Sequence, residues 1–303
     1  MNRKVVAIIA GAAVAVVAVV IALIVVFTKG DTYRLLKLFE FEGTGVVTRD
    51  SKGDITPYTN MVLQSGDLIA LDTGTMTIQA DDDKFIYLNE HTTIKLIASG
   101  NSENSKTSIE LIEGSITSDI RNKLSADSTY EINTPNSAMS VRGTVFMVIV
   151  YEIDGVRYTK VCCFDGEVAT KLIYMDGTEA DEEVSVPKGM EIIIYEDGKT
   201  TDYLDSTPKK IEFSNLSREE LEVLRDIIDE TGIDLSITDP ELARLLDGPY
   251  YISFMYNGME FGTQTVEKDS LVQVPFLNPS ATGNWAFDFN TPIDRDTTIE
   301  WEE

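Results

Sequence analysis

Between Lys37 and Leu204 apolar and polar residues alternate in short runs, among them TMTIQA (75–80), FIYLNE (85–90), TTIKLIA (92–98) and TSIELIEG (107–114). A period of two predicts strands with one buried face. Asp-Gly pairs at 154, 165, 176 and 197 break the later runs, and the first three separate VFMVIVYEI, VRYTKVCCF and EVATKLIYM. That spacing predicts a β-meander whose tight turns accept positive φ. A mainly β architecture follows for residues 37–208, either an all-β sandwich or a stacked β-roll.

The period changes after Glu212. Ser217 followed three residues later by Glu220 forms a capping box, and LEVLRDII (221–228) carries helical spacing up to Gly232. Asp239-Pro240 predicts an N-cap and first-turn proline for a second short helix, ELARLL, ending near Gly248. Residues 209–248 are therefore expected to form a short helical hairpin or linker. Strands return in YYISFMYNG and TQTVEKDSLVQV, with turns expected at Asn257-Gly258 and Asn278-Pro279. The aromatics Tyr251, Phe254, Phe261, Phe276, Trp285, Phe287, Phe289 and Trp301 are dense enough to core a small unit over 249–303.

Residues 5–27 form an unbroken apolar run, which as a helix would reach roughly 34 Å and span a bilayer's hydrocarbon core. Its end, VVFTKGDTY, has no small-x-small cleavage site, so the run predicts an uncleaved transmembrane signal-anchor. Arg3 and Lys4 before it predict a cytoplasmic tail of residues 1–4, and residues 28–36 a linker to an ectodomain outside the cell membrane. No folded effector can be made from the tail MNRK.

Charge narrows the partners. Lys and Arg number 25 against 51 Asp and Glu, a formal net charge of −26. Such a surface repels phosphate backbones and anionic lipid heads, which argues against nucleic acid as a partner. The two thiols, Cys162 and Cys163, are adjacent, so no disulfide framework exists. Strand neighbours point to opposite faces, which also predicts that the two stay reduced.

The stretches GTGVVTRD (43–50), LQSGDLIALDTGTMTIQADDDKFIYLNEHTTIKL (63–96), LIEGSITSDI (111–120) and INTPNSAMSVRGTVFMV (132–148) resemble the FecR-like extracytoplasmic domain family. The last carries the family motif, with Thr134, Pro135, Val141, Arg142, Gly143, Thr144 and Phe146 in place. The resemblance implies an extracytoplasmic sensing or assembly module. Relay to a sigma factor through a cytoplasmic segment is not carried over, because of the short tail. These motif residues read as structural: Pro135 fixes φ after a strand, Gly143 permits close packing, and VFMVIV runs as a buried strand. For Arg142 two readings stand, a fork tying turn carbonyls or a nearby carboxylate, and a contact with an anion or partner. The terminus GNWAFDFNTPIDRDTTIEW (283–301) resembles internalin-type B repeats, implying a β-grasp-like unit over 249–303.

No nucleophilic triad, Walker loop, dinucleotide fingerprint or zinc spacing is present. His91 has no second histidine or nearby cysteine beside it and reads as exposed. Asp81, Asp82 and Asp83 are consecutive and cannot all face one calcium ion, so they read as a solvated hairpin tip, as does MDGTEADEE (175–183). With no catalytic, cofactor or metal residues singled out, the sequence predicts a non-enzymatic binding or scaffolding protein, held by residues 5–27 and facing a protein or cell-wall partner. Two rivals are an envelope hydrolase using a carboxylate pair and a subunit signalling through its transmembrane helix.

Overall fold

The computed structural model describes residues 35–50, 52–101, 104–232, 240–275 and 283–302. The expected tail and anchor at 1–27, the Asp239 cap, Phe276 and the Asn278-Pro279 turn lie outside the described residues. No helix among the described residues is long and apolar enough to cross a membrane.

The larger unit is a single 15-stranded sheet folded over on itself. Three long strands make the fold: β1 (Leu36–Arg49), β3 (Leu68–Ala80) and β6 (Ser105–Ile120). Each serves both layers. The second half of β1 and the first halves of β3 and β6 join β2 (Gly53–Ile55), β5 (Thr92–Gly100), β7 (Thr129–Thr134), β8 (Ser137–Val141), β11 (Glu167–Leu172) and β12 (Val184–Pro187). Their other halves join β4 (Lys84–Leu88), β9 (Val145–Ile153), β10 (Val156–Asp165) and β13 (Met190–Glu196), with β14 (Thr201–Tyr203) and β15 (Lys209–Lys210) beyond. Leu38, Ile69, Ile78, Ile94, Val148 and Val161 are fully buried between the layers.

The bend of β1 and β3 falls where Gly43 faces Gly74 across the ladder. Both have positive φ, 114° and 85°, and a Cβ on either would collide with a carbonyl opposite, Thr73 for Gly43 and Glu42 for Gly74. Two backbones meet with no room for a side chain, so only glycine fits.

The expected meander holds in part. Asp154-Gly155 closes the β9–β10 hairpin and Asp197-Gly198 the β13–β14 hairpin. Asp176-Gly177 lies in the turn between β11 and β12, where Tyr174 N–H donates to the Thr178 carbonyl. Asp165-Gly166 does not close a hairpin: β10 pairs with β9 and β13, while β11 pairs with β8 and β12. There the chain crosses from one layer to the other. A Cβ on Gly166 would stand 2.8 Å from the Gly143 carbonyl, so this crossing packs directly on the β8-to-β9 crossing.

The β9–β10 pair is buried on both faces, as an unbroken apolar run predicts. Phe146, Val148 and Cys163 face the interlayer core, whereas Val145, Met147, Cys162 and Phe164 face outward into a second core with Ile211, Phe213 and Leu216. Helix α1 (Arg218–Thr231) covers that outer face with Leu221, Leu224 and Ile227. Its capping box is complete: Glu220 N–H donates to Ser217 Oγ at 3.2 Å and Ser217 N–H to Glu220 Oε2 at 2.8 Å. Gly232 ends it in the left-handed conformation. Residues expected to link thus pack as a lid on the sheet, followed by α2 (Pro240–Asp247).

The C-terminal strands form a separate four-stranded sheet in the order β17 (Met259–Val266), β16 (Tyr250–Tyr256), β19 (Thr297–Glu302), β18 (Asn284–Trp285), with β16 and β19 parallel. Asn257-Gly258 makes the β16–β17 turn. Tyr250, Ile252, Phe254 and Trp285 fill its core, while Tyr251, expected there, is set on the outer face by alternation, and Phe261, at the bulge of the β16–β17 ladder, is partly exposed with its ring 5.9 Å from that of Trp285.

Gly74→Ala should lower stability by about 2–3 kcal/mol, through positive φ and a backbone collision. Gly53→Ala, also at positive φ but with open space around it, should cost only about 1 kcal/mol. Urea unfolding midpoints of the two variants check the contrast.

Candidate functional site

The family-motif residues do not gather into one site. Thr134 is 5% exposed in a buried polar network at the β7–β8 turn. Thr159 Oγ1 on β10 lies 3.0 Å from Thr134 Oγ1 and 2.5 Å from Asn136 Oδ1, joining the two layers. Ser137 Oγ, next in the chain, lies 2.9 Å from Thr170 Oγ1 on β11. Pro135 is exposed on this turn. Val141 and Phe146 enter the core, with Phe146 edge-on to Tyr130 at 6.4 Å. Gly143 and Thr144 form the β8-to-β9 crossing, where Thr144 Oγ1 donates to the Glu167 carbonyl at 3.4 Å. Arg142 is exposed and makes no hydrogen bond or ion pair among the described residues, so the expected tie to turn carbonyls or a carboxylate is not there.

His91 is exposed and sits at positive φ on an open groove, its Nδ1 4.0 Å from Asp72 Oδ1. The Asp81–Asp83 tip is less solvated than expected. Asp81 is buried, and the Lys84 ammonium reaches Asp81 at 3.3 Å and Asp83 at 2.7 Å. No group of three or more His, Cys, Asp or Glu among the described residues is placed to hold a metal.

Another concavity, of about 410 Å³, opens beside the first turn of α1. The register of β9, β10 and β13 builds it. Lys160 stands between Ile149 and Ile193, Cys162 between Met147 and Glu191, and Tyr158 between Tyr151 and Tyr195. These rows share the outer face. α1 and the 3-10 turn Phe213–Asn215 cover the Cys162 row, the tyrosine row is half-buried, and the Lys160 row forms the floor between them. Tyr151 stacks on Tyr158 with centroids 5.2 Å apart.

At this floor two charges are buried together. Lys160 is 5% exposed and Glu191 1%, with Nζ 3.0 Å from Oε2. Glu191 also accepts from the Glu212 N–H at 3.4 Å and lies 3.7 Å from Cys162 Sγ. Burial opposes the Lys160 ammonium, but Cys162 and Glu191 beside it outweigh burial and hold its pKa above the ordinary lysine value. Burial drives the Cys162 thiol well above its usual range, with Lys160 offsetting part of the effect, and burial pushes Cys163 up to about 12. Neither thiol is a nucleophile there. Glu220 and Ser217 of the α1 cap, Lys209 and Asn215 complete the walls.

Sequence reasoning passed over Lys160, Glu191 and the tyrosine row. The signal was present as a lysine inside the apolar run VRYTKVCCF and a glutamate opening MEIIIYE, but their pairing depends on β10 lying beside β13.

Residues 67–169 match the family model described as FecR protein. No curated protein matches the chain. Two crystal structures of a proposed anti-sigma factor from Parabacteroides distasonis ATCC 8503, at 1.65 and 2.50 Å resolution, are similar. Each is 11% identical, with a TM-score of 0.40, covering 78% of this chain and 98% of that one.

Thr159→Val should destabilise the fold by about 1–3 kcal/mol, because it strands buried polar partners. Arg142→Ala should stay within about 0.5 kcal/mol of the parent in the same denaturation series. Both thiols should resist Ellman's reagent at about pH 8 in the folded protein, and two should react after denaturation without reductant. A rapidly reacting native thiol would contradict the burial argument.

Proposed function

We propose that this chain is a membrane-anchored extracytoplasmic module that binds or senses a ligand, or takes part in assembly, at the bacterial cell surface. Residues 5–27 are its anchor, residues 1–4 its cytoplasmic tail, and residues 37–208 its FecR-like β domain. The observation that carries the reading is the pocket at Lys160: a concave site with fixed charges beside isoleucine side chains, open next to the first turn of a helix, on a β scaffold whose residues 67–169 match the FecR model. Pockets of about 300–1,000 Å³ with a few placed polar groups are the usual form of small-ligand sites.

A binding role fits the chemistry better than hydrolysis. Glu191 and Glu220 both line the pocket, yet Glu191 is held by Lys160 and the Glu212 N–H, and Glu220 by the capping box. Carboxylates committed to structure are poorly placed to exchange protons with a substrate. The net charge of −26 favours a protein or cell-wall partner over nucleic acid. Residues 209–248 serve as a helical element joining the β domain to residues 249–303, which act as an internalin-type repeat-like contact unit.

Protease added to intact protoplasts should remove the acidic mass beyond residue 28 and leave the anchor in the membrane. An ectodomain that is degraded only after lysis would place it inside the cell and sink the proposal.

A further inference from the structure

From the distribution of charge in the pocket we infer that its ligand is a small zwitterion, an α-amino acid or dipeptide with an apolar side chain. This inference rests on the binding reading above and names the ligand class for the same site.

Lys160 is the starting point. Its ammonium carries three donors, and Glu191, at 3.0 Å, takes one. The residue is 5% exposed, so water has little access to the remaining donors except through the pocket. Lys209, exposed at the rim and 3.5 Å from Asp205, adds a second cation. Glu220, which also lines the pocket, presents a carboxylate held rigid at the α1 cap. One oxygen accepts the Ser217 N–H, and a carboxylate has about four lone-pair sites, so further acceptor capacity is open. The side chains of Ile149 and Ile193 flank Lys160 on the two neighbouring strands, and Tyr151 also lines the pocket.

Each simpler ligand class leaves part of this arrangement unmatched. A bare anion would meet Lys160 and Lys209 but also the carboxylates of Glu191 and Glu220. A bare cation would meet the reverse conflict. An apolar neutral ligand would displace water from fixed charges and return no hydrogen bonds to them. A zwitterion answers all three surfaces: its carboxylate meets the lysine donors, its ammonium meets Glu220, and its side chain lies on the isoleucines against Tyr151. The cavity of about 410 Å³ is of a size for such a molecule.

Isothermal titration calorimetry of the full-length protein in detergent micelles tests this with L-leucine and L-phenylalanine as probes. N-acetyl-L-leucine, which lacks the ammonium, and L-leucinamide, which lacks the carboxylate, are the one-charge controls. At least one amino acid should bind, and each control should bind about tenfold more weakly or worse, the effect of losing one charge-assisted contact. Lys160→Met should abolish the heat. Because that variant strands Glu191 and could unfold, Lys209→Ala, at an exposed rim position, provides the second measurement and should weaken binding several-fold with an unchanged unfolding midpoint. No heat from either amino acid at about 10 mM, equal binding of N-acetyl-L-leucine, or parental affinity in folded Lys160→Met or in Lys209→Ala would overturn the inference. Absence of heat from a protein whose ectodomain is still shaved from protoplasts rejects the ligand class alone, whereas a protected ectodomain rejects the surface-module reading whatever the calorimetry shows.

Discussion

The larger β unit depends on one geometric constraint: three long strands must each serve two layers of the same sheet. A strand running straight through β1, β3 or β6 would leave half its apolar residues without a facing layer, so the ladder has to bend. It bends where Gly43 meets Gly74, at a backbone approach too close for any side chain. Because the layers are continuous through these strands, the interlayer core closes without a disulfide. The opposite side of the sandwich is joined by the two crossings that pack at Gly143 and Gly166, and by the hydroxyl and amide network of Thr134, Asn136 and Thr159. Motif residues of the FecR-like segment sit at this second join, so their arrangement explains architecture before it explains recognition.

Folding the sheet leaves the outer face of β9 and β10 apolar, and that exposure is resolved by the chain that follows. The segment from Ile211 to Ile228 lays a turn and a helix over Met147, Cys162 and Phe164. The cover stops one row short of the tyrosines. At the edge of the cover Lys160, in the uncovered row, and Glu191, in the covered Cys162 row, neutralise one another, which makes burial of both tolerable, and the helix cap supplies Glu220 beside them. The pocket is thus a consequence of where the lid ends. A buried pair of this kind is weak evidence for added stability, and replacing it with apolar residues of similar volume is often neutral or better. Its place at the floor of a concavity gives it a reason to be there other than holding the fold.

The lid also touches the C-terminal sheet. Arg218, in the first turn of α1, donates to Tyr250 Oη at 3.1 Å, to the Leu246 carbonyl at 3.3 Å and to the Asp294 carbonyl. Arg244 Nη1 on α2 donates to both carboxylate oxygens of Asp296, at 3.0 and 2.8 Å, and Arg225 Nη1 donates to Asp247 Oδ1 at 2.8 Å. In a chain with a large excess of acid, guanidinium contacts of this type are suited to tying separate elements together. The wall of the pocket and the anchor point of the small sheet are therefore two residues apart in one helical turn, Glu220 and Arg218.

Features set by neighbours along the chain could be read from the amino-acid sequence. The period-two runs gave strands, Ser217 and Glu220 gave a helix start that the structure reproduces bond for bond, Gly232 gave its end, and Asn257-Gly258 gave a hairpin. The opposed faces of Cys162 and Cys163 followed from strand geometry alone. All of these depend on backbone dihedrals and spacing within a few residues. What only the tertiary structure decided was which strands pair. Asp165-Gly166 has the signature of a hairpin, yet β10 turns to β13 and β11 to β8, because burying both faces of β9 and β10 requires the chain to change layers there. Arg142 has the chemistry of a structural tie but faces solvent, since the crossing it belongs to is held by the glycine contact and Thr144 instead. Lys160 and Glu191 carry no pattern in one dimension, and they become a pair only when β10 and β13 lie side by side. Local preferences act through bonds and short hydrogen bonds that the sequence spells out, whereas strand pairing is selected by the burial of surfaces that distant parts of the chain supply.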